Sequence, residues 1–323
     1  MAATSRSTVP LGGIILLAIL WLVWGTTWPA MRIVFTELPV WQFRAVTCGV
    51  AGLSLVILGM MQGAGDWRVP RAAWPRLILC SFLNMTCWHV LVGFGLGLIG
   101  AGHAAIVCYT LPVWTALLAG MFFGERITAR VFLALLLGMA GVGVLLSSDF
   151  GALGTEPLGF VFVLAAAVTW GGGTLVFKHY TWTTNMSALA GWQLLIGLAP
   201  IAVIAALTEP FVLHQASDKA ILAGLYVVVI GMVAGYALWF RVVFSMPATI
   251  ASIGALMIPV IGVGSAAVML DEPFGLREIL ALVFVLSAIA LVIFFNRTKP
   301  VNGVQAKKEG GPKTARKVAD EEW

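Results

Sequence analysis

Hydrophobic residues fall in ten long runs that are separated by short, more polar connections. Each run is close to the roughly 20 residues that a helix needs to cross the hydrocarbon layer of a membrane. A helix satisfies its own backbone hydrogen bonds in lipid, and the alternation typical of a membrane β-barrel is absent. The pattern therefore predicts an all-α membrane protein with ten transmembrane helices. The predicted spans are Leu11–Ile33, Val40–Met61, Trp74–Leu98, Ala101–Phe123, Ile127–Ser147, Leu158–His179, Ser187–Thr208, Lys219–Val243, Ala248–Leu270 and Arg277–Phe295.

One stretch of the chain occurs twice. Residues Ala101–Arg126 match Ala248–Pro273 after a shift of 147 positions, and the match includes a proline in mid-helix and a glutamate at the helix end. These pairs are Pro112 with Pro259 and Glu125 with Glu272. The shift contains five predicted spans, and an odd number places the second copy upside down in the membrane. The sequence therefore predicts two inverted-topology five-helix repeats, residues 11–149 and residues 150–296.

Lys and Arg residues indicate the orientation, because cytoplasmic loops carry an excess of them. With a cytoplasmic N-terminus, most of the 19 Lys and Arg residues fall inside, and only Arg32, Lys219 and Arg277 fall in outer loops. We therefore expect both termini in the cytoplasm and a multi-pass protein of a bacterial-type inner membrane. Residues 1–10 would form the cytoplasmic N-terminus, and the polar residues 297–323 a disordered, basic cytoplasmic tail.

Composition excludes a soluble protein. The 323 residues are 60% hydrophobic and 10% charged, with a mean hydropathy of +1.00, whereas soluble domains carry about 25% charged residues. The sequence has no nucleotide-binding loop, metal-ligand cluster or nucleophile–base pair. We therefore expect no enzyme activity, no catalytic residue, no cofactor, no metal and no nucleic-acid partner. The oligomeric state does not follow from the sequence.

Inverted repeats are typical of secondary transporters, which hold a small-molecule substrate near the membrane midplane between the two repeats. The lipid bilayer and this substrate are then the expected partners. A duplicated membrane scaffold that transports nothing is the alternative from a different class.

Several short motifs are similar to those of a known family. They are Trp24-Gly25-Thr26, Phe43-Arg44-Ala45, Leu111-Pro112, Gly124-Glu125-Arg126 and the glycine-rich stretch 138–143, with a weaker set at Trp170-Gly171, Ile258-Pro259 and Asp271-Glu272-Pro273. Over residues 11–296 the chain resembles the EamA domain of the drug/metabolite transporter superfamily. The resemblance implies a ten-helix inverted repeat with a central cavity, and a carrier of small metabolites such as amino acids. The first span lacks the glutamate that small multidrug relatives use, which argues against proton-coupled efflux of cationic drugs through such a carboxylate.

Arg44 is a candidate substrate-binding residue, because a charged side chain inside a span is costly and is by default a functional hypothesis. It could bind a substrate carboxylate in the central cavity. Alternatively, Arg44 is close enough to the outer end of its helix for the side chain to reach the lipid headgroups.

His89 lies about two thirds of the way along the third span, and the shift of 147 pairs it with Tyr236. Both side chains can present a polar tip to a cavity. A histidine can change its charge near neutral pH, which makes protons a candidate coupling ion. The alternative is a neutral histidine that is bonded to a backbone carbonyl.

Tryptophans supply a second set of candidates. Trp24 and Trp28 lie on the first helix, and Trp170 corresponds to Trp24 in the sixth. The aromatic belts at the membrane surfaces do not explain Trp24 and Trp170, which lie well inside the spans. With Tyr109 they are expected to line a pocket for apolar or aromatic substrates, and core packing is the alternative.

Pro112 and Pro259 each remove one helix hydrogen bond in mid-span. We expect both to be helix breaks that act as hinges for alternating access. Gly93 and Gly97 in the third span are expected to allow close contacts between helices.

These observations together predict a secondary transporter of a small metabolite, an exporter of amino acids or related compounds, that works by alternating access. Uptake of a nucleoside-like or vitamin-like solute and multidrug efflux remain alternatives within transport. The sequence leaves the substrate, the direction and the coupling ion open.

Overall fold

The computed structural model describes residues 10–63, 66–145, 147, 157–210, 212, 216–270 and 274–295. In this part the chain is helical, and the only β-type pairing is one isolated bridge between Asp66 and Thr184. The predicted N-terminal segment 1–9, the basic tail and Glu272 lie outside the described residues. The all-α prediction is confirmed for the described residues.

Thirteen α-helices follow one another in the described ranges. They are α1 (Leu11–Phe35), α2 (Val40–Met61), α3 (Trp74–Ser81), α4 (Trp88–Cys108), α5 (Leu111–Phe122), α6 (Ala129–Leu145), α7 (Pro157–His179), α8 (Met186–Thr208), α9 (Asp218–Tyr226), α10 (Gly235–Ser245), α11 (Ala248–Gly254), α12 (Met257–Leu270) and α13 (Leu276–Phe295). A π-helical segment, Phe82–Cys87, joins α3 to α4, and a second one, Val227–Ala234, joins α9 to α10.

Eight helical stretches of the described chain are long and apolar enough to cross a membrane. Two further apolar helices, Leu111–Phe122 and Ala129–Val144, are shorter than this length. Multiple spans are therefore present, as expected for a multi-pass membrane protein.

One predicted helix boundary is wrong. Helix α4 continues without interruption across residues 98–101, where the third span was expected to end and the fourth to begin. In the second repeat the boundary occurs as predicted, because α10 ends at Ser245 and α11 begins at Ala248. Pro247 lacks an N–H group and disfavours a helical conformation at Met246, which is extended at φ −150° and ψ 165°. The first repeat has no proline at this place, so its helical backbone continues.

The main helix contacts occur in equivalent pairs. Helix α2 packs along α8, and α6 packs along α13, so each joins the corresponding spans of the two repeats. Helix α1 packs along α12, and the equivalent contact is that of α7 with α4 and α5. This pattern is what two repeats related by a pseudo-two-fold axis produce.

The close contact expected at Gly93 is confirmed, and the one expected at Gly97 is wrong. A Cβ atom on Gly93 would stand 2.8 Å from Cζ3 of Trp41, whereas one on Gly97 would meet no atom of the described chain within 4 Å. The two glycines are four residues apart and lie on the same face of α4, so they differ in what covers that face: Trp41 lies against Gly93, and no described atom lies against Gly97.

Gly191 lies where α8 crosses α2, and this crossing gives a test of the packing. A Cβ atom there would stand 2.6 Å from the carbonyl oxygen of Gly52 and 2.7 Å from the backbone nitrogen of Val56. Backbone atoms cannot turn aside, so Gly191→Ala is expected to lower stability by about 1–3 kcal/mol. Thermal unfolding in detergent measures this loss as a lower Tm. Gly172→Ala is the control, since its Cβ would meet only Leu118 Cδ1 at 3.5 Å; an equal fall in Tm there would contradict the packing argument.

Glu37 connects the α1–α2 loop to the start of α9. The backbone N–H and the hydroxyl of Ser217 donate to its two carboxylate oxygens at 2.8 and 2.7 Å. These hydrogen bonds hold the pKa of Glu37 below its ordinary value, and nearby Lys219 lowers the pKa further. Because the pKa is depressed in the folded protein, the contact stabilises the loop above the ordinary carboxyl pKa and is lost as the pH falls.

Candidate functional site

A chain of three polar side chains lies in the interior of the helical bundle. Nη1 of Arg44 lies 2.7 Å from Nδ1 of His89, and Nε2 of His89 lies 3.3 Å from the hydroxyl of Tyr236. His89 is 6% exposed and Tyr236 is 4% exposed. The structure thus joins α2, α4 and α10 through side chains that the sequence analysis selected separately. Both ring nitrogens of His89 contact side chains here, and the guanidinium of Arg44 is directed at His89.

His89 and Tyr236 occupy the same position in the two repeats. They are 147 residues apart, and each is the second residue of a helix that follows a π-helical segment. Two equivalent residues can touch only close to the axis that relates their repeats. Their hydrogen bond therefore lies close to the pseudo-two-fold axis between the repeats. Each of the two helices also follows a π-helical segment, and such segments are frequent at functional sites.

The donor and acceptor roles in this chain follow from the chemistry of arginine. A guanidinium group only donates hydrogen bonds, so Nδ1 of His89 accepts from Arg44. A neutral His89 then carries its proton on Nε2 and donates it to the hydroxyl oxygen of Tyr236. This assignment rests on the hydrogen-bond partners of the ring.

Arg44 keeps unused hydrogen-bonding capacity. Its Nε atom is buried and has no hydrogen-bond partner, and no Asp or Glu of the described residues forms an ion pair with it. Its electrostatic neighbours are Cys48, Cys108 and Tyr236. Burial of an unpaired donor is costly, so the site is ready to bind an acceptor. No cluster of three or more metal-binding side chains occurs in the described chain.

Four tryptophan rings form a cluster with the ring of Tyr236, which belongs to this polar chain. Trp24 lies 6.4 Å from Trp170, 5.9 Å from Tyr236 and 5.6 Å from Trp239 between ring centroids. Trp88 lies 4.8 Å from Trp170. The structure therefore brings together Trp24, Trp170 and Tyr236 from the sequence-based candidates, in direct mutual contact. Trp170 is only 5% exposed, so the rings fill the centre of the bundle.

Sequence reasoning missed two of these rings, although a signal for each was present. Trp88 directly precedes His89, and Trp239 lies three residues after Tyr236 and hence on the same helix face. The indole N–H of Trp24 donates to the carbonyl of Gly231 at 2.9 Å. This carbonyl belongs to the second π-helical segment, so α1 is tied to the irregular part of the α9–α10 span.

Trp28 and Tyr109 form a separate pair beside this centre. The side chain of Trp28 lies close to the Tyr109 hydroxyl, and Trp28 is 37% exposed. Tyr109 follows Cys108, which is an electrostatic neighbour of Arg44. The pair therefore lies next to the polar chain but outside the ring cluster.

Pro112 and Pro259 both lie just after a break in the helix. Helix α4 ends at Cys108 and α5 begins at Leu111, while α11 ends at Gly254 and α12 begins at Met257. Each proline thus occupies the first turn of a new helix, where its missing N–H costs no hydrogen bond. The two breaks fall at equivalent places in the repeats.

Glu209 fixes the start of the helix that carries Arg44. Its carboxylate accepts hydrogen bonds from the backbone N–H groups of Trp41 at 3.1 Å and Gln42 at 2.8 Å. The first N–H groups of a helix have no partner within it, and an anion there is favourable. The side chain of Gln42 adds a further hydrogen bond between the start of α2 and this segment, because it donates to the carbonyl of Pro210.

Glu209→Gln is expected to lower stability by about 1 kcal/mol, since the cap loses its charge, and to reduce transport by displacing the α2 start. Thermal unfolding and flux into proteoliposomes measure the two effects. Glu278→Gln is the matched control, because among the described residues the Glu278 carboxylate accepts from Gly275, next to its own helix. Unchanged transport in Glu209→Gln would contradict a positioning role for this cap.

Comparison with known proteins places these features in a family. The model of the EamA-like transporter family matches the chain twice, over residues 11–147 and 157–294. The uncharacterized transporter YvbV of Bacillus subtilis is 27% identical over 278 residues, which cover 86% of this chain and 90% of that protein. A probable amino-acid metabolite efflux pump of Escherichia coli is 26% identical over 66% of this chain and 73% of its own.

Two further similarities agree with these. A probable terminal-alkyne amino-acid exporter of Streptantibioticus cattleyicolor is 27% identical over 85% of this chain and 90% of its own. A solved crystal structure superposes with a TM-score of 0.78 at 21% identity and covers 91% of this chain and 99% of the other, which shows the same fold. The resemblance found in the sequence motifs is therefore confirmed. Because the family model matches most of the chain in two copies, the protein belongs to the EamA-like transporter family.

Proposed function

We propose that the protein is a secondary transporter that exports amino acids or related metabolites by alternating access around the centre of the bundle. The observation that carries this proposal is the contact of His89 with Tyr236, beside the partly buried cation of Arg44. Inverted-repeat transporters bind substrate at such a place, near the midplane and between the repeats. The proposed substrate-binding residues are Trp24, Trp28, Arg44, His89, Tyr109, Trp170 and Tyr236.

The chemistry of the site supports a carboxylate with an apolar or aromatic body. Arg44 offers free donors for the carboxylate, and the rings of Trp24 and Trp170 offer apolar surface. A substrate must separate these rings to enter, because they are in contact in this structure. The breaks that precede Pro112 and Pro259 are the proposed hinges for this opening. The names of the Escherichia coli and Streptantibioticus cattleyicolor relatives, an efflux pump and an exporter, support amino acids as substrates and the outward direction.

We propose ten membrane spans in a bacterial inner membrane, with both termini in the cytoplasm. The two short apolar helices, α5 and α6, would complete the fourth and fifth spans together with their flanking residues. The distribution of Lys and Arg residues supports this orientation. The two repeats would then be residues 11–149 and 150–296.

Counterflow in proteoliposomes tests the function. Vesicles containing the full-length protein are loaded with unlabelled amino acids, nucleosides or cationic drugs, and entry of the labelled compound is followed with and without a pH gradient. Faster exchange of an amino acid is the expected result. Faster exchange of only nucleosides or drugs would assign a different substrate, and no exchange by folded protein across the panel would contradict the proposal.

A further inference from the structure

We propose that Arg44 and His89 bind a substrate carboxylate and a proton together, so that one proton leaves the cell with each exported carboxylate, down the concentration gradient of the substrate. This inference rests on the proposed function, because it names what the central site binds. It follows from the hydrogen bonds that the two side chains can make and those that they cannot.

The contact between Arg44 and His89 is incompatible with a proton on Nδ1. At 2.7 Å, Nδ1 must accept a hydrogen bond, because the guanidinium only donates. A proton on Nδ1 would place two N–H donors and two positive charges against each other. Protonation of His89 therefore requires that Arg44 find another acceptor.

A substrate carboxylate is such an acceptor. Its oxygens can accept from Arg44, whose Nε is free in this structure, and from a protonated Nδ1 of His89 at the same time. The only bond that changes is N–H at Nδ1. It forms with a proton from water on the side to which the site is open, and it breaks when that proton returns to water on the other side.

No other described group competes for these roles. The groups that face the pair are Cys48 from α2, Cys108 from α4 and Tyr236 from α10, and none of them is a carboxylic acid. The empty site carries the single positive charge of Arg44. In the loaded site, Arg44, protonated His89 and the carboxylate carry two positive charges and one negative charge, which again sum to one positive charge; the ammonium group of an amino acid is a further positive charge outside this group of three. Carboxylate and proton thus enter this poorly solvated site without adding net charge to it, which removes the main cost of burying either one alone.

This coupling can be tested with amino acids as probes. Proteoliposomes containing the full-length protein and an internal pH-sensitive dye receive external L-phenylalanine, L-leucine or L-methionine. Net inward flow of the amino acid, into vesicles that contain none, is expected to acidify the lumen, with about one proton per molecule. Protein-free vesicles give the background. The amide of L-phenylalanine, which lacks the carboxylate, is expected not to compete.

His89→Gln tests proton uptake independently of amino-acid movement. Glutamine can still accept from Arg44 and donate to Tyr236, but it cannot take up a proton. The variant is expected to move amino acids more slowly than the wild-type protein and to lose the lumen acidification that accompanies each molecule that enters. His179→Gln is the matched control, since His179 is exposed at the end of α7, and it is expected to retain both. Acidification that persists in His89→Gln would overturn the inference.

The wild-type protein provides an independent arm that needs no variant. If proton and carboxylate bind together, the half-saturating amino-acid concentration decreases as the pH falls. A constant value would overturn the coupling. Net amino-acid entry without proton entry would also overturn it and leave the proposed function standing, whereas neither net entry nor exchange of any amino acid would overturn both.

Discussion

Replacing Arg44 by Gln is expected to reduce carboxylate transport by about 100-fold, which corresponds to ~3 kcal/mol of lost binding. Arg44 is the cation of the central site, and no Asp or Glu of the described residues pairs with it. Its removal leaves a substrate carboxylate without a charged partner in a poorly solvated place. The measurement is the initial rate of amino-acid counterflow, normalised to the amount of folded protein.

Two variants sharpen this test. Arg44→Lys keeps the charge but loses the forked geometry of the guanidinium, so an intermediate rate is expected. Arg241→Gln is the matched control, since Arg241 donates to the Ala237 carbonyl at 3.1 Å and lies outside the polar chain. Full activity of Arg44→Gln, or an equal loss in Arg241→Gln, would show that Arg44 does not bind the substrate.

Trp24→Ala is expected to have the largest effect on stability, a loss of about 3–5 kcal/mol, together with a loss of transport. Trp24 contacts three aromatic rings, and its N–H donates to Gly231 at 2.9 Å. The substitution would leave a cavity at the centre of the bundle and an unpaired carbonyl in the π-helical segment. Thermal unfolding in detergent measures the first effect, and counterflow measures the second.

Trp21→Ala separates packing from binding in this case. Trp21 lies on the same helix and donates to the Gly254 carbonyl at 2.8 Å, but it is outside the ring cluster. Its substitution is expected to lower the Tm by a similar amount and to leave transport per folded molecule nearly unchanged. If both variants lost transport equally, the rings around Trp24 would be core packing alone. Trp24→Phe should retain part of both properties, because it keeps a ring but lacks the N–H donor.

Some parts of the site could be derived from the sequence, because the internal repeat shows which residues occupy equivalent positions in the two halves. The shift of 147 paired His89 with Tyr236 before any contact was known, and the structure joins them at 3.3 Å. Other parts depended on side-chain direction within a helix. Arg44 and His89 are 45 residues apart, and this separation does not predict their contact. The sequence also did not predict that Trp88 and Trp239 belong to the ring cluster.

The sequence likewise predicted one helix boundary correctly and another wrongly. Pro247 ends a helix through its own covalent structure, so its boundary was predictable. At residues 98–101 the sequence offers a glycine and no proline, and glycine permits either outcome. Local chemistry therefore determined one boundary, and the surrounding packing determined the other.

The sequence by itself determined the membrane environment, the helical content, the internal repeat and the presence of a cation within a span. These features follow from hydrophobic length and from backbone hydrogen bonds, which every helix in lipid must satisfy locally. Only the tertiary structure decided that Arg44 meets His89 and that Trp24 is bonded to a carbonyl 207 residues away. Such contacts depend on the rotation and crossing of packed helices, which arise from many small contacts between distant segments and leave no pattern along the chain.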